Sequence, residues 1–171
     1  MTSFNLRRVK LRPGEELREA LEVDLPVLEL GGQRYVAVPD QVVAELAITR
    51  TTTGTALALA FDARLTGPCY RCLGDAVVDL PIRAREYQAG ETGGHADEQM
   101  TSPYVVDDRV DVSAWARDAV ALALPDQILC RRDCAGLCAV CGRSLNEEPH
   151  GHDEREADPR WAALEELRSR P

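Results

Sequence analysis

VVAELAITRTTTGTALALAFDARLTGPCYRCLGDAVVDLPIRA, residues 42–84, decides the fold. Val42, Ala44, Leu46 and Ile48 fall on one face of an extended chain, with Val43, Glu45, Ala47 and Thr49 on the other. Thr51–Gly54 is a polar turn, after which Leu57, Leu59, Phe61, Ala63 and Leu65 resume the alternation. Beyond Gly67–Asp75 a third run carries Ala76, Val78, Leu80, Ile82 and Ala84 on one side. Three period-two runs joined by short turns predict three strands of an antiparallel meander. Pro81 removes a backbone donor inside the third run, so that strand belongs at an edge or carries a bulge. A meander of this length can curl toward a barrel.

Working outward, Leu21–Leu30 and Arg34–Val38 predict two short strands separated by the Gly31–Gly32 turn. Residues 89–103 are rich in glycine and acid and predict a flexible acidic loop, in which the lone His95 is solvated. Ser113 is placed to cap a helix over 113–124, with Trp115, Ala119 and Leu122 at helical spacing and Pro125 blocking continuation. That helix is apolar on most sides, which predicts burial. A last helix is expected from Asp158, with Pro159 in its first turn, an apolar stripe of Trp161, Leu164 and Leu167, and Arg168 and Arg170 at its carboxyl end. The expected class is α+β: an antiparallel β-meander, barrel-like if it closes, with a few helices and a C-terminal zinc-binding module. The expected division is a β-rich domain over 1–125 and a Cys/His module with the last helix over 126–171.

The chain of 171 residues carries 20 Lys plus Arg against 29 Asp plus Glu, a formal charge of −9. That balance argues against gripping nucleic acid by bulk charge. Nineteen of the cations are arginine, which reads as coding bias rather than function. A hydrophobic content of 44% excludes wholesale disorder. Met1–Lys10 has no apolar core of a secretory signal, and the longest apolar stretch, Ala119–Leu124, is far too short to span a bilayer. The expected location is the cytoplasm, with no membrane partner. Six cysteines in a reducing compartment point to metal rather than disulfides.

Cys69-Tyr70-Arg71-Cys72 lies between the second and third strands. Two intervening residues let both sulfurs meet one tetrahedral ion. Thioredoxin-type redox sites share the spacing but open a helix, whereas Leu73-Gly74-Asp75 leads into a strand. Cys130, Cys134, Cys138 and Cys141 follow later, with Gly142 relieving the turn behind the last pair, and then His150 and His152. On an extended segment histidines at i and i+2 share a face. Eight ligands make two closed four-ligand sites and imply two structural zinc ions. One partition gathers Cys69, Cys72, Cys130 and Cys134, leaving Cys138, Cys141, His150 and His152. Its rival gathers Cys130, Cys134, Cys138 and Cys141, which closes shorter loops but strands Cys69 and Cys72. The first is preferred.

Catalysis has little to stand on. Two closed sites leave no open coordination position. GxSxG, Walker and GxGxxG motifs are absent, and Glu147–Glu148 and Glu165–Glu166 are adjacent in sequence rather than facing across a cleft. A small-molecule substrate is not expected.

Three segments carry a resemblance: LTGPCYRCLGD at 65–75, ALPDQILCRRDCAGLCAVCGRSLN at 123–146, and DPRWAALEEL at 158–167. In order and spacing they resemble the YceD family, the large ribosomal RNA subunit accumulation proteins, over nearly the whole chain. Members are similar in the strand-hairpin CxxC and in a helix ending ALP. Many with the long C-terminal cluster place Cys or His where this chain has His150 and His152. Others lack that cluster but keep the first pair and ligand-type residues matching Cys130 and Cys134. The resemblance therefore favours the first partition. It implies a role in accumulation or maturation of large-subunit rRNA, a process rather than a reaction.

The leading expectation is a non-catalytic ribosome-assembly factor built as a zinc-stapled scaffold. Its partners would be large-subunit rRNA or its precursor, a basic ribosomal protein, or both. Arg71, Arg131 and Arg132 flank the cysteines, and Arg7 and Arg8 lie in a second basic patch; all five are candidate RNA contacts. The acidic segments 86–111 and 147–166 suit a basic protein instead. A metal-dependent RNA-processing enzyme and a zinc-dependent protein-interaction module are the alternatives. A DNA-binding regulator lacks a basic recognition helix.

Overall fold

The computed structural model describes residues 1–90 and 100–152. Most of the acidic loop, His95 and the expected helix from Asp158 lie outside the described residues.

Alternation translates directly into strands. In chain order they are β1 Ser3–Asn5, β2 Glu16–Asp24, β3 Leu28–Leu30, β4 Gln33–Ala37, β5 Gln41–Arg50, β6 Gly54–Pro68, β7 Asp75–Ala89, β8 Val105–Val106 and β9 Arg109–Asp111. The helix α1 spans Val112–Ala123. β5, β6 and β7 are the expected meander, antiparallel throughout, with Leu46 opposite Leu59 and Leu59 opposite Ala84. The main sheet runs β2-β5-β6-β4-β3, and β7 pairs the other side of β6. β1, β9 and β8 form a small second sheet.

The inward face of β5 and β6 supplies the core: Ala44, Leu46, Ile48, Leu57, Leu59, Phe61 and Leu65 are buried, with Val23 of β2 and Ile82 of β7. Each such Leu, Ile or Phe contributes about 1.5–3 kcal/mol relative to exposure. α1 covers this layer with Val112, Trp115, Ala116, Ala119 and Val120. Tyr104 stacks on Trp115 at 6.0 Å between ring centroids.

Several expectations change. The stretch 21–30 is two strands, because Leu25-Pro26-Val27 breaks it; β2 pairs β5 and β3 pairs β4. The sheet is open, not a barrel: among the described residues β2 and β7 do not pair. Pro81 sits on the edge strand, as its missing donor requires. Asp111, not Ser113, caps α1, its carboxylate accepting from the Ala114 N–H at 2.9 Å. Ser113 instead accepts from the Thr2 N–H at 2.7 Å. Leu122 is 88% exposed, so α1 is buried on one side only. Among the described residues α1 is the sole α-helix.

The chain divides into two compact units, Met1–Cys134 and a second beginning at Ala135. No helix among the described residues is long and apolar enough to cross a membrane.

Candidate metal centres

The β6–β7 hairpin ends in a knuckle. After Pro68 the Cys69 N–H donates to the Gly74 carbonyl at 2.6 Å, and the Leu73 N–H donates to the Cys69 carbonyl at 3.0 Å. This turns the chain so tightly that Cys69 and Cys72 face one point. Beneath it, Tyr35 of β4 lies against Gly67, where any Cβ would meet its ring, and its hydroxyl donates to the Pro68 carbonyl at 2.9 Å. Tyr35, Cys69, Ala76, Ile128 and Cys134 form a second, smaller core.

The segment after α1 closes the same site. The Tyr70 N–H donates to the Ile128 carbonyl at 2.8 Å. Arg71 reaches across to the Cys134 carbonyl at 3.1 Å and to Gln127 Oε1 at 3.4 Å. Cys69 Sγ lies 3.8 Å from Cys134 Sγ, and Cys72 Sγ lies 3.6 Å from Cys130 Sγ. All four donors are within 4.8 Å of one another. Sulfurs bound at about 2.3 Å in a tetrahedron stand roughly 3.8 Å apart, which is the spacing of these two pairs.

Cys138, Cys141, His150 and His152 form the second cluster, with donors again within 4.8 Å of one another. Its knuckle repeats the first: the Gly142 N–H donates to the Cys138 carbonyl at 2.8 Å. Asn146 closes the loop, its side-chain oxygen accepting from the Ala135 N–H at 2.8 Å. His150 Nδ1 is 2.6 Å from the Glu148 carbonyl oxygen. A carbonyl can only accept, so Nδ1 carries a hydrogen, and once the ring is neutral Nε2 presents its lone pair inward, 3.1 Å from Cys141 Sγ. The cluster thus has a fixed tautomer and an outer support, both usual in metal sites.

The electrostatics favour a thiolate at one cysteine of each cluster. Burial pushes the Cys69 thiol up, but N–H groups of Cys72, Cys130 and Arg71 and the Cys72 thiol outweigh it and bring it to about 6. N–H groups of Cys141 and Val140 lower Cys138 to about 6. Cys130 is pushed up to about 12 by desolvation and by the crowding of Cys72, Cys134 and Cys69. Four sulfurs cannot all ionise without a cation between them. The Glu148 carbonyl, with Cys141 and Cys138, raises His150 to about 9.

The structure therefore assembles the preferred partition, and the two clusters could each hold a metal ion. Of the candidate RNA contacts, Arg71 is spent on bracing the first cluster. Arg131 pairs with Asp133 at 3.5 Å and Arg7 with Asp108 at 2.9 Å, while Arg132 and Arg8 are exposed. Sequence reasoning missed Tyr35, whose signal, a tyrosine opposite a glycine, becomes readable only with the pairing known; Asn146 ends a segment that carried the resemblance, but its bracing role did not show in the sequence.

These features define a class: an open antiparallel sheet whose central hairpin ends in one four-thiol cluster, followed by a separate Cys2His2 cluster. The chain belongs to the family of the large ribosomal RNA subunit accumulation protein YceD, whose model matches residues 57–168. It is 34% identical to the uncharacterized protein Rv2926c of Mycobacterium tuberculosis over 96% of this chain and 80% of that one. It is 32% identical to the uncharacterized protein ML1660 of Mycobacterium leprae over 96% and 76%. No solved structure matches the chain.

Proposed function

We propose that the chain is a non-catalytic cytoplasmic factor that promotes accumulation or maturation of large-subunit rRNA, with one structural zinc in each cluster. The observation that carries the reading is the pairing of two complete four-donor clusters with membership of a large-subunit rRNA family. Four donors per cluster satisfy tetrahedral zinc and leave no position for a reacting water. The first ion, held by Cys69, Cys72, Cys130 and Cys134, fastens the β6–β7 hairpin to the segment behind α1. The second, held by Cys138, Cys141, His150 and His152, gives a fold to a short stretch that has little apolar core of its own. Structural zinc binds such peptides with about 10–16 kcal/mol of apparent energy. Arg132 and Arg8 make no ion pair among the described residues and would be the ones to meet phosphate, whereas Arg7, Arg71 and Arg131 would do so only by sharing their present partners.

The test is depletion of the chain in its host with both rRNAs quantified. Large-subunit rRNA should fall relative to small-subunit rRNA. The wild-type gene should restore it, and Cys72→Ser should not. An unchanged ratio on depletion refutes the reading.

A further inference from the structure

The two knuckles share one backbone turn but differ at its left-handed position. Behind Cys141 the left-handed position is Gly142, φ 73°. Behind Cys72 the same position is Leu73, φ 59°. A branched side chain there is strained, and glycine is the residue that removes the strain. The Leu73 side chain gains no burial in exchange: it is 56% exposed. Beside it on the knuckle Tyr70 is 65% exposed. On the outward face of the sheet, Val36 of β4 and Val77 of β7 flank Thr66 of β6 in a single row. Both valines are exposed, and the next row, Pro68 and Asp75, leads into the knuckle. An apolar surface thus runs from the sheet end onto the knuckle, with a strained leucine at its tip. Strain held at an exposed position points to use of the side chain.

The charges around it select the occupant. Arg131 is paired with Asp133, Arg64 with Asp79, and Arg34 stands opposite Glu29 in the β3–β4 register. Arg71 is bound to Gln127 and the Cys134 carbonyl. Asp75 and Asp126 are exposed and make no ion pair among the described residues. Against Arg132 and Arg34, which make no ion pair among the described residues, stand these two acids, Glu29 across from Arg34, and the net double negative charge of four thiolates around a divalent ion. Phosphate is disfavoured there, and a cationic segment carrying an aliphatic or aromatic side chain is favoured.

We infer that Leu73 and Tyr70, with Val36 and Val77 behind them, form a docking surface for a basic protein segment. The inference rests on the ribosome-assembly reading, so the segment belongs to a large-subunit ribosomal protein. An aliphatic anchor on that protein packs on Leu73 and Tyr70, and its lysines or arginines meet Asp75 and Asp126.

The test uses the full zinc-loaded chain and two probes from the host: large-subunit ribosomal proteins freed of RNA, and deproteinised large-subunit rRNA. The wild type should retain a basic protein in a salt-sensitive manner. Leu73→Gly should keep its zinc, melt no lower than wild type, and bind that protein about tenfold more weakly or worse. Tyr70→Ala and Asp75→Lys should weaken it too. Equal protein binding by wild type and Leu73→Gly overturns the inference. So does loss of rRNA rather than protein binding in that variant, and so does a wild type that retains no large-subunit protein. The depletion experiment decides the parent reading separately: unchanged rRNA there sinks the assembly role, whereas intact binding by Leu73→Gly sinks the docking surface alone.

Discussion

Cys72→Ser isolates what the first metal would do. Cys72 is half-buried and serine keeps its size, so the substitution removes a zinc ligand with little disturbance of packing. The site joins Cys69 to Cys134, 65 positions apart. Treated as a covalent cross-link, a loop of that length restricts the unfolded chain by about 4 kcal/mol. For a unit running Met1–Cys134, an unfolding entropy of about 2.1 cal/mol/K per residue turns this into a fall of roughly 14 °C in Tm. The assay is elemental analysis of protein purified in zinc, followed by thermal melts monitored by circular dichroism. Wild type should hold two zinc ions and the variant one. A chelator should bring the wild-type melt down to the variant's, and added zinc should restore the wild type only. Unchanged metal content refutes the ligand assignment. A lost zinc with an unmoved melt refutes the claim that the ion ties the hairpin to the segment behind α1.

Cys141→Ser should likewise cost one zinc, but the Met1–Cys134 transition should stay within roughly 2 °C, because the second cluster draws no ligand from that unit; a large shift in a calorimetric scan would count against it. Gly67→Ala puts a Cβ against the Tyr35 ring and 2.8 Å from the Arg34 carbonyl oxygen. It should cost about 1–3 kcal/mol by urea unfolding, more than Gly142→Ala, where only the left-handed backbone objects. Leu46→Ala, in the fully buried centre of β5, should cost about 2–5 kcal/mol in the same assay. Zinc uptake should release protons at pH 7, because His150 at about 9 and Cys130 at about 12 are protonated there in the metal-free chain. Affinity should therefore rise with pH from 7 toward 9, and titration heats should depend on the buffer's ionisation enthalpy. Buffer-independent heats would contradict those protonation states.

The meander was readable because β5, β6 and β7 each bury one face, and a half-buried strand writes its period into the sequence. The edge position of β7 was readable from Pro81 for a chemical reason, since proline lacks the donor an inner strand needs. Closure was not readable, because it depends on which strands meet β2 and β7, and no residue in either encodes an absent neighbour. Leu122 misled because its spacing from Trp115 and Ala119 matches a helical stripe. The face that packs is set by where β7 and β2 lie against α1. The metal partition was half-readable: counting to four ligands gave two rival sets, and the hairpin that brings Cys69 to Cys134 across 65 positions is a property of the fold.

The negative charge of the chain and its cysteines bear on one question. Six thiolates binding two divalent ions would add negative charge to a chain already at −9. A surface built this way would hold RNA only through local arginines, and the structure has committed three of the five candidates to Asp108, Asp133 and the Cys134 carbonyl. Arg71 shows the preference most clearly. It stands at the tip of a knuckle, where an RNA-binding arginine would point outward, yet its guanidinium folds back to brace the backbone carbonyl of a cluster cysteine. The residues left projecting there are Tyr70 and Leu73, whose side chains suit apolar contact rather than phosphate. On the docking proposal the first contact is with protein rather than phosphate, and rRNA accumulation would follow from that partner.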